Sequence, residues 1–400
     1  MAASRNEDGY DITSQNYFER LAEHRGEEIQ PVTRQSISEA RSKLKWEGFQ
    51  ALLSSANRET AFTQDSLRYK GHITRAVDGT SMIVPRTAEL LEYFTPRTSK
   101  KGEGHYPCLL AVTAMNVFTG QPTAARIDDH TASERDGLLS MIRTVFRPGD
   151  LSLMDRGLPA GWLFWEFEKA GQYYLSRMKT TGESSAGYVR DFVKSKKKSK
   201  VIQIEIVDID TNEKVNIKVR LVRGPTDSEG KQIVFATNLI GEKYTRKSLL
   251  KLYSQRWAVE TLYGRMKNLL KIERFHARNY NGVMQEIFAN LLVLSLTALV
   301  WSVTICCKDM NPRKTVPNFK NATEVVRRHL FDAIDRRITG RRAKLLAKRM
   351  IEQTARVIWK KQPDRSYPRV SMQPIKVWNL AKEKKLADFA KIQKQRGTSR

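Results

Sequence analysis

The segment RKSLLKLYSQRWAVETLYGRMKNLLKI, residues 246–272, is the part of the chain that indicates the fold. It contains no Pro, a single Gly and mostly good helix formers, so we expect one helix over its length. With 3.6 residues per turn, four polar side chains project within roughly 60 degrees of one another. These are Tyr253, Arg256, Glu260 and Lys267. Most of the apolar residues lie on the other side, which predicts a helix with a buried back and a polar face toward a cleft.

The polar face of this helix has two interpretations. Arg256 and Glu260 are four residues apart, and an exposed pair at that spacing is often only a surface ion pair. Alternatively, Glu260 binds a metal ion while its three neighbours hold phosphates. The choice between a surface ion pair and a metal site depends on whether other acidic residues lie near Glu260.

The charge of the chain indicates a polyanionic partner. It has 70 Lys and Arg against 43 Asp and Glu, a formal net charge of +27. Such an excess favours nucleic acid as the ligand. The bias is strongest in residues 308–400, and RRITGRRAKLLAKRM at 336–350 is predicted to hold DNA or to pair two subunits. The alternative for this region is a solvated helical tail.

Composition also predicts the compartment. The three cysteines, Cys108, Cys306 and Cys307, include no C-x-x-C pair, and the N-terminal residues have no apolar core typical of a signal peptide. We therefore expect a reduced, cytoplasmic protein. Residues 287–307 carry no charge and approach the length of a membrane span, but Asn, Ser and Thr interrupt the run. A buried helix is the favoured interpretation, and no membrane partner is predicted.

The middle of the chain alternates strands and helices, which indicates an α/β core. ITRAVDGTSMIVP at 73–85 predicts two strands joined by a tight turn at Asp78 and Gly79. LSLMD predicts a short buried strand that ends at Asp155. An Asp before a Gly is by itself most often turn chemistry. Two acids at strand ends and Glu260 on a later helix would nevertheless supply the oxygen ligands that Mg²⁺ or Mn²⁺ prefers.

Between Asp155 and Glu260 the pattern changes. VIQIEIVDI and VNIKVRLV alternate apolar and polar residues and are separated by DTNE. This pattern is typical of an antiparallel hairpin. It predicts an inserted β unit.

These motifs resemble one known family. The spacing Y-x-x-R-x-x-x-E-x-x-x-x-x-x-K, formed by Tyr253, Arg256, Glu260 and Lys267, is similar to that of a subgroup of bacterial insertion-sequence DDE transposases. AVDGT with Asp78 and LSLMDRGLP with Asp155 resemble the first and second acidic blocks of that family. SE at Ser133 and Glu134 and YLSRMK at 174–179 are similar to its other motifs, and the order agrees throughout.

The resemblance implies an RNase H-like core with a β-rich insertion and a DNA transposase activity. It implies that Asp78, Asp155 and Glu260 are catalytic and bind Mg²⁺ or Mn²⁺, two ions per site. It also implies DNA contacts by a second group of side chains: Tyr253, Arg256, Lys267, Arg177 and Lys179. The implied partners are the terminal inverted repeats of the element and target DNA, bound by a homodimer.

The predicted domains follow from these assignments. Residues 1–70 form a helical region that recognises DNA ends or serves packing. Residues 71–187 form the first part of the core, 188–239 the β insertion, 240–307 the catalytic helix and the following buried helix, and 308–400 the basic C-terminal region. Two other functions remain open: a metal-dependent nuclease without strand transfer, which would have the same acids, and a domesticated DNA-binding protein, which would not need them.

Overall fold

The computed structural model describes residues 10–61, 68–99, 102–311, 314–334 and 339–360. The α-helices are α1 Tyr10–Arg25, α2 Arg34–Lys43, α3 Trp46–Ala61, α4 Ala88–Tyr93, α5 Glu134–Thr144, α6 Gly161–Lys169, α7 Gly187–Lys194, α8 Arg246–Tyr253, α9 Ala258–Gly264, α10 Tyr280–Cys307, α11 Phe319–Ile334 and α12 Gly340–Ala355. The strands are β1 Thr74–Ile83, β2 Pro96–Ser99, β3 Gly102–Asn116, β4 Pro122–Asp129, β5 Leu151–Met154, β6 Tyr173–Met178, β7 Ser199–Val207, β8 Lys214–Thr226, β9 Gln232–Thr237, β10 Thr315–Pro317 and β11 Ile358–Lys360. Residues 361–400 of the predicted basic region lie outside the described residues, as do 336–338 of the segment predicted to hold DNA.

A mixed sheet forms the centre of the molecule. Its strands are ordered β2-β3-β1-β5-β6-β9-β8-β7, and β4 pairs with β3 beside this path. Strands β1, β5 and β6 run parallel to one another, and the remaining neighbours in this sheet are antiparallel. The predicted fold class, α/β with helical regions at both ends, is confirmed.

Alternate side chains of the central strands enter two cores, one on each face of the sheet. Ala76 belongs to the core beneath α3, α8, α9 and α10. Its neighbour Val77 belongs to the core beneath α5, α6 and α7. Because successive strand residues point to opposite faces, this assignment fixes the face of every later residue on β1. Asp78 therefore shares the face of Ala76 and of α9.

The turn predicted at Asp78 and Gly79 is wrong. Strand β1 continues through both residues, because β3 pairs with it along Arg75 to Ile83, with Asp78 opposite Thr113. Gly is rare inside strands, so the Asp-Gly pair predicts a turn. The long antiparallel strand β3 instead forms backbone hydrogen bonds with β1 at these residues. On the other side, β5 pairs with β1 only as far as Val77 opposite Met154. Asp78 lies where its parallel neighbour ends, although not where its own strand ends.

The expectation of one continuous helix over residues 246–272 is also wrong in detail. Helix α8 is followed by a 3₁₀ turn at Ser254–Trp257, then α9, then a π-helical turn at Arg265–Leu269, after which the helix ends. The chain stays helical, so its apolar residues still reach the core, including Val259, Leu262 and Met266. The changes in residues per turn rotate the side chains that follow each change.

The β unit predicted between Asp155 and Glu260 extends the central sheet. Strands β7 and β8 form an antiparallel hairpin, and β9 joins β8 to β6. The register of Val201 opposite Arg220 and Ile206 opposite Val215 matches the alternation seen in the sequence. The domain boundaries stay predictions.

Helix α10 is the longest helix of the described residues. It is long and apolar enough to cross a membrane by length and composition, and half of its most apolar window is buried inside the protein. Gln285, Glu286 and Asn290 are buried on it, and Arg41 from α2 donates hydrogen bonds to Gln285 at 2.9 Å and to Glu286 at 2.8 Å. These polar contacts are typical of a core helix.

Candidate active site

Two of the predicted acids are brought together by the parallel pairing of β1 and β5. Asp78 and Asp155 each follow the last paired residues, Val77 and Met154. Parallel strands advance together, so residues at equal distance past a paired position lie side by side. Burial raises the pKa of Asp78, and the charge of the nearby Asp155 adds to this rise.

Glu260 joins the two aspartates through Arg256. Nη2 of Arg256 donates to Oε1 of Glu260 at 2.9 Å, and Nη1 lies 3.9 Å from Oδ2 of Asp78. The side chain of Arg256 is 10% exposed, against 25% for Asp78 and 33% for Glu260. Asp155 also raises the pKa of this guanidinium, against the effect of burial, which lowers it. One buried arginine thus contacts two of the three carboxylates and is influenced by the charge of the third.

Tyr253 and Tyr263 fix the helical segment against the strands. The hydroxyl of Tyr253 donates to the carbonyl of Met154 at 3.2 Å and lies 3.4 Å from Oδ1 of Asp155. The hydroxyl of Tyr263 donates to the carbonyl of Asp78. Burial, and after it the neighbouring aspartate charges, raise the pKa of both phenols, so both remain neutral donors.

The electrostatics of the site disfavour further negative charge. The pKa of Asp78 rises from 3.8 to about 6. Burial is the largest cause, and the charges of Glu134 and Asp155 add to it, while Arg256 lowers the value. The group therefore carries more negative charge from its carboxylates than one guanidinium can balance. A bound divalent cation would balance this excess.

Glu134 is an acid of this site that sequence reasoning did not assign. It is the first residue of α5, after Ser133, whose hydroxyl accepts a hydrogen bond from the backbone N–H of Arg135 at 3.2 Å. Its carboxyl lies against Gly79, where an added Cβ would be 2.6 Å from Cδ of Glu134. The motif SE marked this position in the sequence, but nothing there gave its role.

Lys267 does not lie among the three acids. Its Nζ donates to the carbonyl of Ser81 at 2.7 Å and is 3.7 Å from Oε1 of Glu273. The π-helical turn at Arg265–Leu269 contains Lys267, so the angle calculated for a regular helix does not apply to it. The side chain is held beside β1, three residues beyond Asp78.

Arg177 and Lys179 line a cleft that begins at Asp155. The cleft has a volume of about 510 Å³. Arg156, Lys231, Thr180 and Thr181 also line it, and Nη2 of Arg177 lies 3.5 Å from Oδ2 of Asp227 on its rim. Lysine, arginine and hydroxyl groups are the usual contacts to a phosphate backbone. Glu229 also lines the cleft and pairs with Lys231 at 2.7 Å, so four basic and three acidic side chains line it in all.

The donor set of Asp78, Asp155 and Glu260 fits Mg²⁺ or Mn²⁺, which prefer carboxylate oxygens. A second group of acids lies on the other side of the sheet: Glu166, Asp208 and Asp210. Lys169 lies 2.6 Å from Glu166 and 2.9 Å from Asp210, and Arg143 binds the same two carboxylates at 2.9 and 2.6 Å. Because Lys169 and Arg143 already pair with these carboxylates, the second group acts as an ion-pair network that fixes the β7–β8 turn to α5 and α6.

Comparison with known proteins gives a family and a likeness to solved structures. The family model described as "Transposase DDE domain" matches residues 69–296. A search among curated proteins finds no match. Among solved structures, the chain is similar to a piggyBac transposase in a synaptic complex with hairpin DNA, with 10% identity and a TM-score of 0.40. That likeness covers 70% of this chain and 57% of the other. The matched residues 69–296 include Asp78, Asp155 and Glu260.

Proposed function

The chain belongs to the transposase DDE domain family, and we propose that it cuts the ends of an insertion sequence and joins them to target DNA. The observation that carries this proposal is the common contact of the acids with Arg256, which pairs with Glu260 at 2.9 Å and faces Asp78 at 3.9 Å. The closeness of Asp155, which acts on both Asp78 and Arg256, completes the group. The core that positions these residues is the RNase H-like core expected from the family.

Asp78, Asp155 and Glu260 are the proposed ligands of two Mg²⁺ or Mn²⁺ ions. Two such ions, when bound, activate an attacking oxygen and stabilise the departing one in phosphodiester chemistry. The positions of the three carboxylates are fixed by the fold. Two of them lie at adjacent strands, and the third lies on a helical segment held by Tyr253 and Tyr263. Attack by water would cut the DNA, and attack by the freed 3′ hydroxyl would join it to the target.

Arg256 has two roles in this proposal. Its contacts with Asp78 and Glu260 offset part of the negative charge of the carboxylates. If cations bound these carboxylates, the guanidinium would be free to donate to a phosphate. A planar guanidinium can give two parallel hydrogen bonds to phosphate oxygens. Tyr253 and Lys267 are the other proposed phosphate contacts from this segment.

We propose that DNA leaves the acids through the cleft lined by Arg177, Lys179 and Lys231. The exposed basic residues of α12 are a second proposed contact: Arg341, Arg342, Lys344, Lys348 and Arg349. The substrates would be terminal inverted repeats and target DNA, held by a homodimer in the cytoplasm. The net charge of +27 supports a polyanionic partner for the whole chain.

A strand-transfer assay tests the proposal. Duplexes that carry the inverted repeats flanking the gene are incubated with the protein, Mg²⁺ and a target plasmid, and both cut ends and joined products are measured. We expect both products, and we expect Asp155→Asn to abolish both while end binding persists. Asp191→Asn, an exposed acid on α7, is the control and should retain activity.

Three results would contradict the proposal. Cutting without joined products would indicate a nuclease, and end binding without any Mg²⁺-dependent cutting would indicate a DNA-binding protein. Cutting that survives Asp155→Asn would remove the assignment of the acids.

A further inference from the structure

Glu134 is placed beside the proposed metal ligands by a close approach of α5 to β1. The space that a side chain on residue 79 would fill is taken by the Glu134 carboxyl, since an added Cβ would lie 2.6 Å from Cδ and 2.8 Å from Cγ of Glu134. Gly79 directly follows Asp78. The glycine inside β1, which weakens a strand, is therefore explained by the need to admit an acid next to Asp78.

A hydrogen-bonded arginine holds the start of α5 to the loop that follows Asp155. Nε of Arg135 donates to the carbonyl of Leu158 at 3.0 Å, and Nη2 donates to those of Gly157 and Pro159 at 3.1 and 3.3 Å. The residue before Arg135 is Glu134. Its position is consequently set relative to Asp155 by these bonds and relative to Asp78 by Gly79.

Glu134 lacks the neutralising partner that its neighbours have. Arg256 pairs with Asp78 and Glu260, and within the described ranges no basic side chain forms an ion pair with Glu134. A carboxylate placed next to Gly79 and near the loop after Asp155, with no basic partner in the described part of the chain, is a group whose charge a bound divalent cation can balance.

We propose that Glu134 is a fourth carboxylate of the metal site, which binds a divalent cation together with Asp78 and Asp155. The inference rests on the proposed function, because it assumes that Asp78 and Asp155 hold cations. It adds to that function a residue on α5, an element that carries none of the three acids assigned from the sequence. Gly79 is the positioning residue that keeps room for this carboxylate.

Binding of Mn²⁺ alone to the full-length protein tests the inference, with free Mn²⁺ followed by electron paramagnetic resonance. Glu134→Gln keeps the shape of the side chain and should weaken Mn²⁺ binding by about tenfold, as the loss of a ligand or of its close support does. Asp136→Asn, an exposed acid in the same first turn of α5, is the matched control and should change the affinity less than about twofold. A role of Glu134 limited to stabilising the helix start would leave Mn²⁺ affinity unchanged.

A second variant tests the same site from the strand. Gly79→Ala should displace the Glu134 carboxylate and weaken Mn²⁺ binding to a similar extent, with little loss of thermal stability because the end of a flexible side chain can move. Combining Gly79→Ala with Glu134→Gln should cost no more than either alone, since both remove the same interaction. Additive losses would contradict a shared cause.

The Mn²⁺ measurements distinguish an error about Glu134 from an error about the proposed function. If Asp78→Asn and Asp155→Asn weaken Mn²⁺ binding but Glu134→Gln does not, Glu134 is not a ligand and the proposed function stands. If neither aspartate variant changes Mn²⁺ binding, the metal site itself is misplaced. Equal binding by the Glu134→Gln protein and the unaltered protein overturns the inference.

Discussion

At the scale of single residues, the site is defined by an imbalance of charge. Arg256 is the buried cation that contacts Asp78 and Glu260, while Glu134 and Asp155 raise the pKa of Asp78. A carboxyl that is easier to ionise in the unfolded chain than in the folded one reduces stability at neutral pH. The arrangement therefore favours cation binding at the expense of the stability of the cation-free protein.

This imbalance predicts that Asp78→Asn stabilises the protein in the absence of divalent cations. The pKa of Asp78 is about 6 in the folded state against 3.8 ordinarily, so between these values the folded state binds the extra proton. Stability consequently falls as pH rises from 4 to 6 and stays reduced above 6. At pH 7.5 the variant should gain about 1–3 kcal/mol, and at pH 4 the gain should vanish.

Urea unfolding at both pH values measures this effect, with Asp191→Asn as the control for loss of an exposed charge. A variant that is less stable than the unaltered protein at pH 7.5 would show that Asp78 is not strained by its neighbours. A gain of equal size at pH 4 would show that its cause is not ionisation.

The sequence predicts the contacts of residues whose spacing is unaffected by the local changes in helix type. Arg256 and Glu260 span the junction of a 3₁₀ turn and α9 and still meet at 2.9 Å, as the four-residue spacing predicts. Lys267 lies in the π-helical turn, and its contact with Ser81 could not be foreseen from regular helical angles. Glu134 could not be assigned, because its closeness to Asp78 depends on packing between α5 and β1.

At the scale of elements, the close packing of α5 on the sheet positions Glu134. Gly137 lies on the buried face of α5, where an added Cβ would be 2.8 Å from Cγ2 of Val112 on β3. Val112 is buried and β-branched, so it has little freedom to move away. The helix can approach the strands this closely only with glycine at that position.

Gly137→Ala is therefore predicted to destabilise the protein by about 1–3 kcal/mol, although Ala is the better helix former. Gly48 on α3 is the matched control, since nothing lies within 4 Å of an added Cβ there. Gly48→Ala should be neutral or stabilise by up to about 1 kcal/mol. Urea midpoints for both variants measure the difference, and a stabilising effect at residue 137 would contradict the packing described for α5.

Elements were predictable where one pattern governed them. The alternation of apolar and polar residues in the β7–β8 hairpin predicts its two strands and the turn between them. The continuation of β1 through Gly79 is not predictable from a local window, because glycine there is a turn signal. The pairing that overrides this signal comes from residues 108–116 of β3. Long-range pairing of this kind is not written in a local window of sequence.

At the scale of the whole molecule, the net charge of +27 predicts DNA binding that depends strongly on salt. Replacing Arg177, Lys179 and Lys231 together by Ala should lower the slope of log affinity against log salt by about 2–3, since each phosphate contact contributes about 0.9. Lys214, paired with Glu205 at 2.9 Å on the outer hairpin, is the control and should leave the slope unchanged. An unaltered slope in the triple variant would remove the cleft from the DNA path.

The account as a whole depends on divalent cations binding at one place in the sheet. The most direct measurement is the anomalous scattering of Mn²⁺ in crystals of the full-length protein. We predict anomalous density beside the carboxylates of Asp78 and Asp155, with Arg256 moved away from Asp78. Density only at Glu166, Asp208 and Asp210, or none near Asp78 and Asp155, would contradict the central claim.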